Sequence, residues 1–389
     1  MVRTLLCIDT SSEYDRSIVR GLIQYSQEHG NCLLLSRIPS SLSAESKKGY
    51  RIAQWARDWK ADAIIGRWPY DDLLPLSNLD CSVVIQNLNS RQTGFSTITG
   101  DYIRTGEIAA DFFIRRRFVN FGFFGLKDII WSEERAQGFR NAVKLHGFSY
   151  QEYAIQTTPE QESAEIIRWL TGLPKPVAVF CCDDEYALAV SEHCRLARIK
   201  VPQGVAILGV DNDELLCNIS DPPLSSIVLD AEKGGYEVGR MLHEQEKESS
   251  GNKPIFVISI KPGIIVQRGS TQQHNVEDKE VARMLEFIDR NLTREITTAE
   301  IFENAFLCRR AAEIRFKKVT GTTVYKYLID RRIDHLCSLL ETTDLSLSEC
   351  AARSGIFDIN YLFHVFKKVK GCSPASWRRA KRSAAPDMQ

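Results

Sequence analysis

Short apolar runs alternate with segments of helical period through the first 270 residues. Arg3–Ile8, Cys32–Leu35, Ala63–Ile65, Val83–Gln86, Asn120–Phe124, a run near Tyr153, Val177–Cys181 and Ala206–Val210 predict strands. Between them, Asp15–His29, Tyr50–Trp59, Ile103–Arg116, Trp131–His146, Glu162–Leu170, Tyr186–Ala197 and Ala231–Glu244 carry the period of amphipathic helices. This order predicts an α/β fold of parallel sheets with helices on both faces. Trp55 and Trp59, four apart on one helix, are expected in the core.

Sheets of that kind place ligands at the carboxyl ends of their strands. The polar residues just past each run are therefore the candidates: Asp9 leading into Tyr14, Asp15 and Arg16; Trp68 after Gly66-Arg67; Trp131 and Arg135; Asp183; and Asp211. Carboxylates accept protons from hydroxyls, a guanidinium donates in a fixed fork, and an indole face covers C–H surface. That inventory suits a sugar. Blander roles compete. Asp184 and Asp101 precede helices and are read as caps. Trp68 and Trp131 are placed as well for packing as for lining a cleft. Tyr14, Asp15 and Arg16 are read as cleft lining in preference to a solvated helix start. For Arg135 and Asp211, loop position favours ligand contact over a salt bridge between lobes.

The segments Asp101–Gly106, Arg135–Phe139, Cys182–Ala187, Val201–Ile207 and Gly209–Asn212 resemble the type I periplasmic-binding-protein fold of the lactose-repressor class. The resemblance implies two lobes joined by three chain crossings, near 117–120, 226–231 and 249–255. It implies that Arg135 and Asp211 bind sugar hydroxyls. Asp183 stands where many members carry Asn or Thr, a departure that bears on which ligand fits.

Beyond Ser270 the pattern changes. A polar, aperiodic stretch over 271–277 reads as a linker between a body of 1–270 and a tail domain of 278–385. Helices are predicted from about Val276 to Leu292, over Thr298–Asn304, Arg309–Lys318, Thr323–Leu340, Ser346–Ser354 and Ile359–Lys368. Thr297-Thr298-Ala299-Glu300 reads as a capped helix start. A phrase recurs: Phe316-Lys317-Lys318-Val319-Thr320-Gly321 returns as Phe366-Lys367-Lys368-Val369-Lys370-Gly371. Two copies are too few for a solenoid. Short helix, turn with Gly355, and second helix is the helix-turn-helix arrangement, with the second helix read into the major groove. Leu362, Val365, Phe366 and Val369 form the expected inner face of the second reading helix; Asn360, Phe363, His364, Lys367 and Lys368 form the outer one. In the first motif the outer positions are Arg309, Arg310, Glu313, Ile314 and Lys317. Arg pairs with guanine, Glu accepts from cytosine, and Phe meets a thymine methyl. The lysines, Lys370 among them, suit phosphates.

Leu345–Asp358, Tyr361–Lys368 and Gly371–Arg378 resemble the arabinose-regulator (AraC/XylS) family of transcription factors. Ala312 stands where a large apolar residue is usual, and Trp377 where Tyr is common. The resemblance implies two reading helices in successive major grooves of double-stranded operator DNA, contact with RNA polymerase, and a homodimer. With the body, it implies a small sugar effector, D-xylose among the pentoses.

Charge agrees with the division. Residues 1–275 hold 30 basic and 34 acidic side chains, whereas 309–389 hold 16 and 8. A basic tail on a mildly acidic body favours a polyanion partner at the tail. The eleven cysteines include no C-x-x-C pair and read as reduced, buried thiols. No run approaches the ~20 apolar residues that cross a bilayer, and residues 1–10 lack the layout of a signal peptide; a cytoplasmic, non-membrane chain is expected. No G-x-G-x-x-G follows a strand and the histidines are isolated. Neither catalytic residues, metal nor cofactor are expected.

Overall fold

The computed structural model describes residues 1–8, 10–37, 48–67, 73–86, 94–247, 254–272, 274–343 and 345–383. It divides into two compact units, one of 1–112 with 120–270, the other of 113–119 with 271–389.

The first unit alternates strand and helix in chain order. It runs β1 (Val2–Cys7), α1 (Glu13–Glu28), β2 (Leu33–Arg37), α2 (Lys48–Trp59), β3 (Ala63–Arg67), β4 (Ser82–Gln86), β5 (Ser96–Gly100) and α3 (Tyr102–Arg115). It continues with β6 (Asn120–Leu126), α4 (Ile130–Leu145), β7 (Ser149–Ile155), α5 (Ser163–Gly172), β8 (Val177–Cys181), α6 (Asp184–Leu196), β9 (Val205–Val210), α7 (Glu214–Ile219), β10 (Ser225–Leu229), α8 (Ala231–Lys247), β11 (Val257–Ile260) and β12 (Pro262–Val266). One sheet has the order β11-β5-β4-β3-β1-β2, the other β12-β10-β9-β8-β6-β7. Pairing is parallel except where β12 runs antiparallel to β10. The α/β expectation holds in both lobes.

Four strands, β5, β10, β11 and β12, lie outside the strands expected from the sequence. β5 (STITG) and β10 (SSIVL) bury Ser96, Thr97, Thr99, Ser225 and Ser226. These short polar residues are paired by bonds from distant parts of the chain: the Ser225 amide donates to Ser270 Oγ at 2.8 Å and the Phe256 amide to Ser96 Oγ at 3.2 Å. Burial satisfied this way leaves no hydrophobic signature. β11 and β12 are edge strands, partly exposed. Trp55 and Trp59 pack against the core beneath α2, as expected.

Two of the three ties between the lobes lie elsewhere than expected. A Cβ on Gly106 would lie 2.2 Å from Arg135 O, and one on Gly138 2.0 Å from Ile103 O, so α3 lies hard against α4. α1 and α8 meet in the same way, with Gly21 against Glu232 O at 1.9 Å and Gly235 against Ile18 O at 2.0 Å. α3 therefore belongs to the second lobe, and the first crossing lies at Asp101, not at 117–120. The second is at Asp230, within 226–231. The third is at Lys261, where β11 passes to β12, not at 249–255. Alternation alone does not say which sheet a helix covers. The crossings bond to one another: the Asp101 amide donates to Ile260 O at 2.9 Å and the Asp230 amide to Lys261 O at 3.0 Å. Asp101 also caps α3, its Oδ1 accepting from the Arg104 amide at 3.2 Å.

The second unit is helical: α9 (Lys279–Arg290), α10 (Thr298–Glu303), α11 (Arg309–Thr320), α12 (Val324–Thr342), α13 (Leu347–Arg353), α14 (Ile359–Lys370) and α15 (Pro374–Ser383). Thr297 with Glu300, and Ser346 with Glu349, close capping boxes on the first helix of each motif. The second helices end on left-handed Gly321 (φ +80°) and Gly371 (φ +76°), a conformation glycine adopts without penalty. The repeated phenylalanines are equivalent: Phe316 meets Tyr327 edge-on at 5.5 Å, and Phe366 meets Trp377 edge-on at 6.1 Å. Ala312 is fully buried in a cluster with Met284, Ile288, Phe302 and Leu328. The polar stretch read as a linker contributes buried Thr271 and His274, and the His274 ring bonds Asp289 at 2.9 Å. Hydrogen bonding to a buried carboxylate, invisible to hydropathy, holds it in place.

Candidate ligand cleft and nucleic-acid interface

In the first unit, side chains at the carboxyl ends of both sheets form one electrostatic cluster. From the first lobe, Asp15 sits in the opening turn of α1, where Ser12 Oγ caps the helix by accepting from its amide at 3.2 Å. The Asp15 carboxylate is buried and accepts from Gln86 Nε2 at 2.9 Å and Arg67 Nη2 at 3.3 Å. Arg67 Nε in turn donates to Gln86 Oε1 at 3.0 Å. Arg67 and Gln86 are the last residues of β3 and β4, so parallel pairing sets them side by side. Burial pushes the Tyr14 phenol well up, with Tyr102 adding to the shift and Arg67 opposing it.

From the second lobe come Trp131, Arg135, Asp183 and Asp211. The Arg135 guanidinium lies 5.3 Å from the Trp131 ring centroid and 5.5 Å from that of Tyr102. Its Nη1 donates to Cys182 O. Asp183 caps α6, accepting from the Tyr186 amide at 2.9 Å. The cap was expected at Asp184; instead Asp184 is the first helical residue, and its Oδ2 accepts from the Asp213 amide at 2.7 Å. Burial first, then the Asp211 charge, pushes Asp183 up to about 7. Burial pushes Asp211 up as well, opposed by Arg135.

Two features of this cluster and its surroundings are costly in a fold. Asp211 and Asn212 hold φ of +98° and +54°, a region costly for residues with a Cβ and concentrated at functional sites. Arg135 Nε, Asp184 Oδ1 and Asp211 Oδ1 are buried without a hydrogen-bond partner. Such orphaned groups cost about 1–3 kcal/mol each unless something pairs with them.

The sequence candidates fare unevenly. Tyr14, Asp15, Trp131, Arg135, Asp183 and Asp211 come together. Asp9 and Trp68 lie outside the described residues. Arg16 has other employment: its Nη2 donates to Asp213 Oδ2 at 2.5 Å, its Nη1 to Thr10 O at 3.1 Å and its Nε to Glu13 at 3.1 Å. Its bond to Asp213 joins the first lobe to the second. Arg67 was noted only beside Trp68, and Gln86 and Tyr102 were not singled out; the signal that finds them is the last residue of a parallel strand and the first after a crossing.

In the second unit the outer-face candidates are all exposed: Arg309, Arg310, Glu313, Ile314 and Lys317 on α11, and Asn360, Phe363, His364, Lys367 and Lys368 on α14. Ile314 at 60% and Phe363 at 45% exposure are apolar side chains set among polar neighbours. Arg309 pairs with Glu313 one turn on, at 3.1 Å. Of the expected inner face, Leu362 and Phe366 are buried, but Val369 is 41% exposed, because the helix ends one residue later and turns away. Lys370 is not free for phosphate: its Nζ bonds Asp334 at 2.9 Å and lies over the Trp377 ring. Trp377 Nε1 donates to Glu341 at 2.9 Å, which fixes α15 against α12. Among the described residues, no group of three or more His, Cys, Asp or Glu is placed to hold a metal. None of their helices is long and apolar enough to cross a membrane.

The comparisons agree with this geometry. A periplasmic binding protein-like domain model matches residues 110–271, and a helix-turn-helix domain model matches 303–380. The chain is a transcription regulator built from a domain of each kind. It is similar to the xylose operon regulatory protein of Escherichia coli K12, 27% identical over 392 residues, covering 97% of this chain and 96% of that one. The Haemophilus influenzae protein of the same name is 26% identical over 73% of this chain and 75% of its own. A solved structure of the xylose-binding transcription activator XylR covers 97% of this chain and 98% of its own, with a TM-score of 0.60 at 22% identity.

Proposed function

We propose that the chain is a sugar-responsive activator whose effector is a pentose, D-xylose. The carrying observation is the cluster of Asp15, Arg67 and Gln86 from one lobe with Arg135, Asp183 and Asp211 from the other. Its unpaired Arg135 Nε and Asp211 Oδ1 suit a small polyhydroxylated ligand. Trp131 and Tyr14 supply apolar surface beside the acids, and the relatives' xylose names support the choice of sugar. In this reading residues 1–270 sense, 271–277 join, and 278–385 bind DNA through the outer faces of α11 and α14. The protein works in the cytoplasm as a homodimer that contacts RNA polymerase. Sugar shifts the lobes toward closure only as far as it binds the closed state more tightly.

A thermal-shift series with D-xylose, L-arabinose and D-ribose tests the effector. At 100 times its dissociation constant the true ligand stabilises by about 2.7 kcal/mol. D-xylose without effect, or matched by the other pentoses, refutes the choice of sugar. Arg135→Ala then locates the site: undiminished affinity removes the cluster from consideration.

A further inference from the structure

We propose that the adjacent Arg115 and Arg116, at the end of α3, are the relay through which effector occupancy reaches both helix-turn-helix motifs. This rests on the reading above, that the cluster of the first unit binds an effector.

The relay begins at that cluster. Tyr102, whose ring lies 5.5 Å from the Arg135 guanidinium, is the first residue of α3. The helix is uninterrupted to Arg115, 14 residues in all. That is a rod of about 20 Å, and a helix transmits a push or a turn at one end to the other. Its last residues belong to the second unit: 113–119 group with the helical domain, although the chain enters from α3 and leaves into β6.

There the two arginines part. The Arg116 side chain is 2% exposed, and its Nη2 donates to Asp289 Oδ2 on α9 at 2.8 Å. Arg331 Nη2 of α12 donates to Asp289 Oδ1 at 3.1 Å, and His274 Nε2 bonds Oδ2 at 2.9 Å. The Asn275 amide closes the loop by donating to Arg116 O at 2.9 Å. Both stretches of chain that lead out of the first unit thus converge on one carboxylate of α9, the helix that packs the first motif. Arg115 goes the other way. Its Nη1 donates to Asp334 Oδ2 on α12 at 2.8 Å, and Asp334 Oδ1 accepts from Lys370 Nζ, the last residue of α14, at 2.9 Å. One residue addresses the first motif, its neighbour the second reading helix.

The charge arrangement makes the link stiff. Two guanidiniums share one buried carboxylate, and burial together with these cations keeps His274 below its ordinary range. Displacing Arg116 from Asp289 would strand a buried cation, which is far more costly than bending an exposed loop. A well-packed apolar residue would hold 113–119 within this unit at least as firmly; an ion pair adds a charge that must stay matched.

The test compares full-length wild type with Arg115→Gln and Arg116→Lys. Operator affinity is measured by fluorescence anisotropy with and without saturating D-xylose, on a duplex enriched by selection on the protein itself. The readout is the ratio of the two affinities; D-xylose affinity without DNA is measured alongside. We expect each variant to bring the ratio at least threefold closer to one, with D-xylose affinity within twofold of wild type. Asp334→Asn, also at the surface end, should do the same and serves if Arg116→Lys misfolds. An unchanged ratio in Arg115→Gln and Asp334→Asn overturns the relay while leaving the effector reading intact. A wild type that binds D-xylose with no change in operator affinity overturns both.

Discussion

Asp289→Asn removes the negative charge that Arg116 and Arg331 share in the second unit. Arg116 and Arg331 sit 2.8 and 3.1 Å from its oxygens, with side-chain exposures of 2% and 15%. At an effective dielectric of about 20 and a charge separation near 4 Å, each pair is worth roughly 4 kcal/mol before relaxation. The asparagine keeps one acceptor but turns a donor toward a guanidinium. Water entry and side-chain movement recover part of the loss, and removal of one partner from a buried pair costs about 3–5 kcal/mol. The chain has two units, so a single melting temperature is a poor measure. Hydrogen exchange of the α9 and α12 amides reports this unit alone. At about 1.4 kcal/mol per tenfold, their protection should fall by roughly two to three and a half orders of magnitude. Arg290→Gln, an exposed change on the same helix, should stay within about 0.5 kcal/mol. A fall of less than tenfold in Asp289→Asn would refute the view that this carboxylate neutralises the node. The pH dependence adds a sign. Arg116 and Arg331 outweigh burial and hold Asp289 well below the ordinary 3.8. Its contribution is present in full above that value and fades as pH falls below it.

Three other expectations follow from single side chains. Gly355→Ala places a Cβ 2.3 Å from Leu292 O at a φ of +80°, whereas Gly371→Ala at +76° meets open space; denaturant unfolding should show a loss above about 2 kcal/mol for the first and nearer 1 for the second. Lys367→Ala should weaken binding evenly across DNA sequences and lower the salt slope by about 1, measured by anisotropy titration over a salt series; a sequence-dependent loss would make Lys367 a base reader. Asp183, pushed up to about 7 by burial, makes the wild type gain stability relative to Asp183→Asn as pH falls from about 7 to about 4. That gain is complete below the ordinary carboxylate value and lost as pH rises through 7; parallel pH profiles for the two proteins would contradict it.

The chain announces its helical motifs more openly than its cleft. Thr297-Glu300 and Ser346-Glu349 cap helices through contacts three residues apart, so sequence spacing carries them. Asp15, Arg67 and Gln86 are separated by up to 71 positions, and only strand pairing joins them. Each alone looks like a polar residue at a strand end. Arg115 and Arg116 sit in a run of three arginines that reads as a solvated helix terminus; the burial of the second is decided by α9 and α12, far along the chain. Two of the three crossings were misplaced for a related reason. The contact of Gly106 with Arg135 O, which assigns α3 to the second lobe, leaves no periodicity to detect.

Those glycine contacts have a mechanical corollary. In each lobe, two helix backbones touch where a single methyl group would collide, as Gly21 with Glu232 O and Gly138 with Ile103 O do. Neither pair can slide. Any change of angle between the lobes is left to the backbone at Asp101, Asp230 and Lys261, three positions already laced by main-chain hydrogen bonds. Replacing residues there by proline or glycine would change how readily the lobes swing while leaving the ligand's own contacts untouched, a means of tuning the response threshold without altering which ligand is recognised.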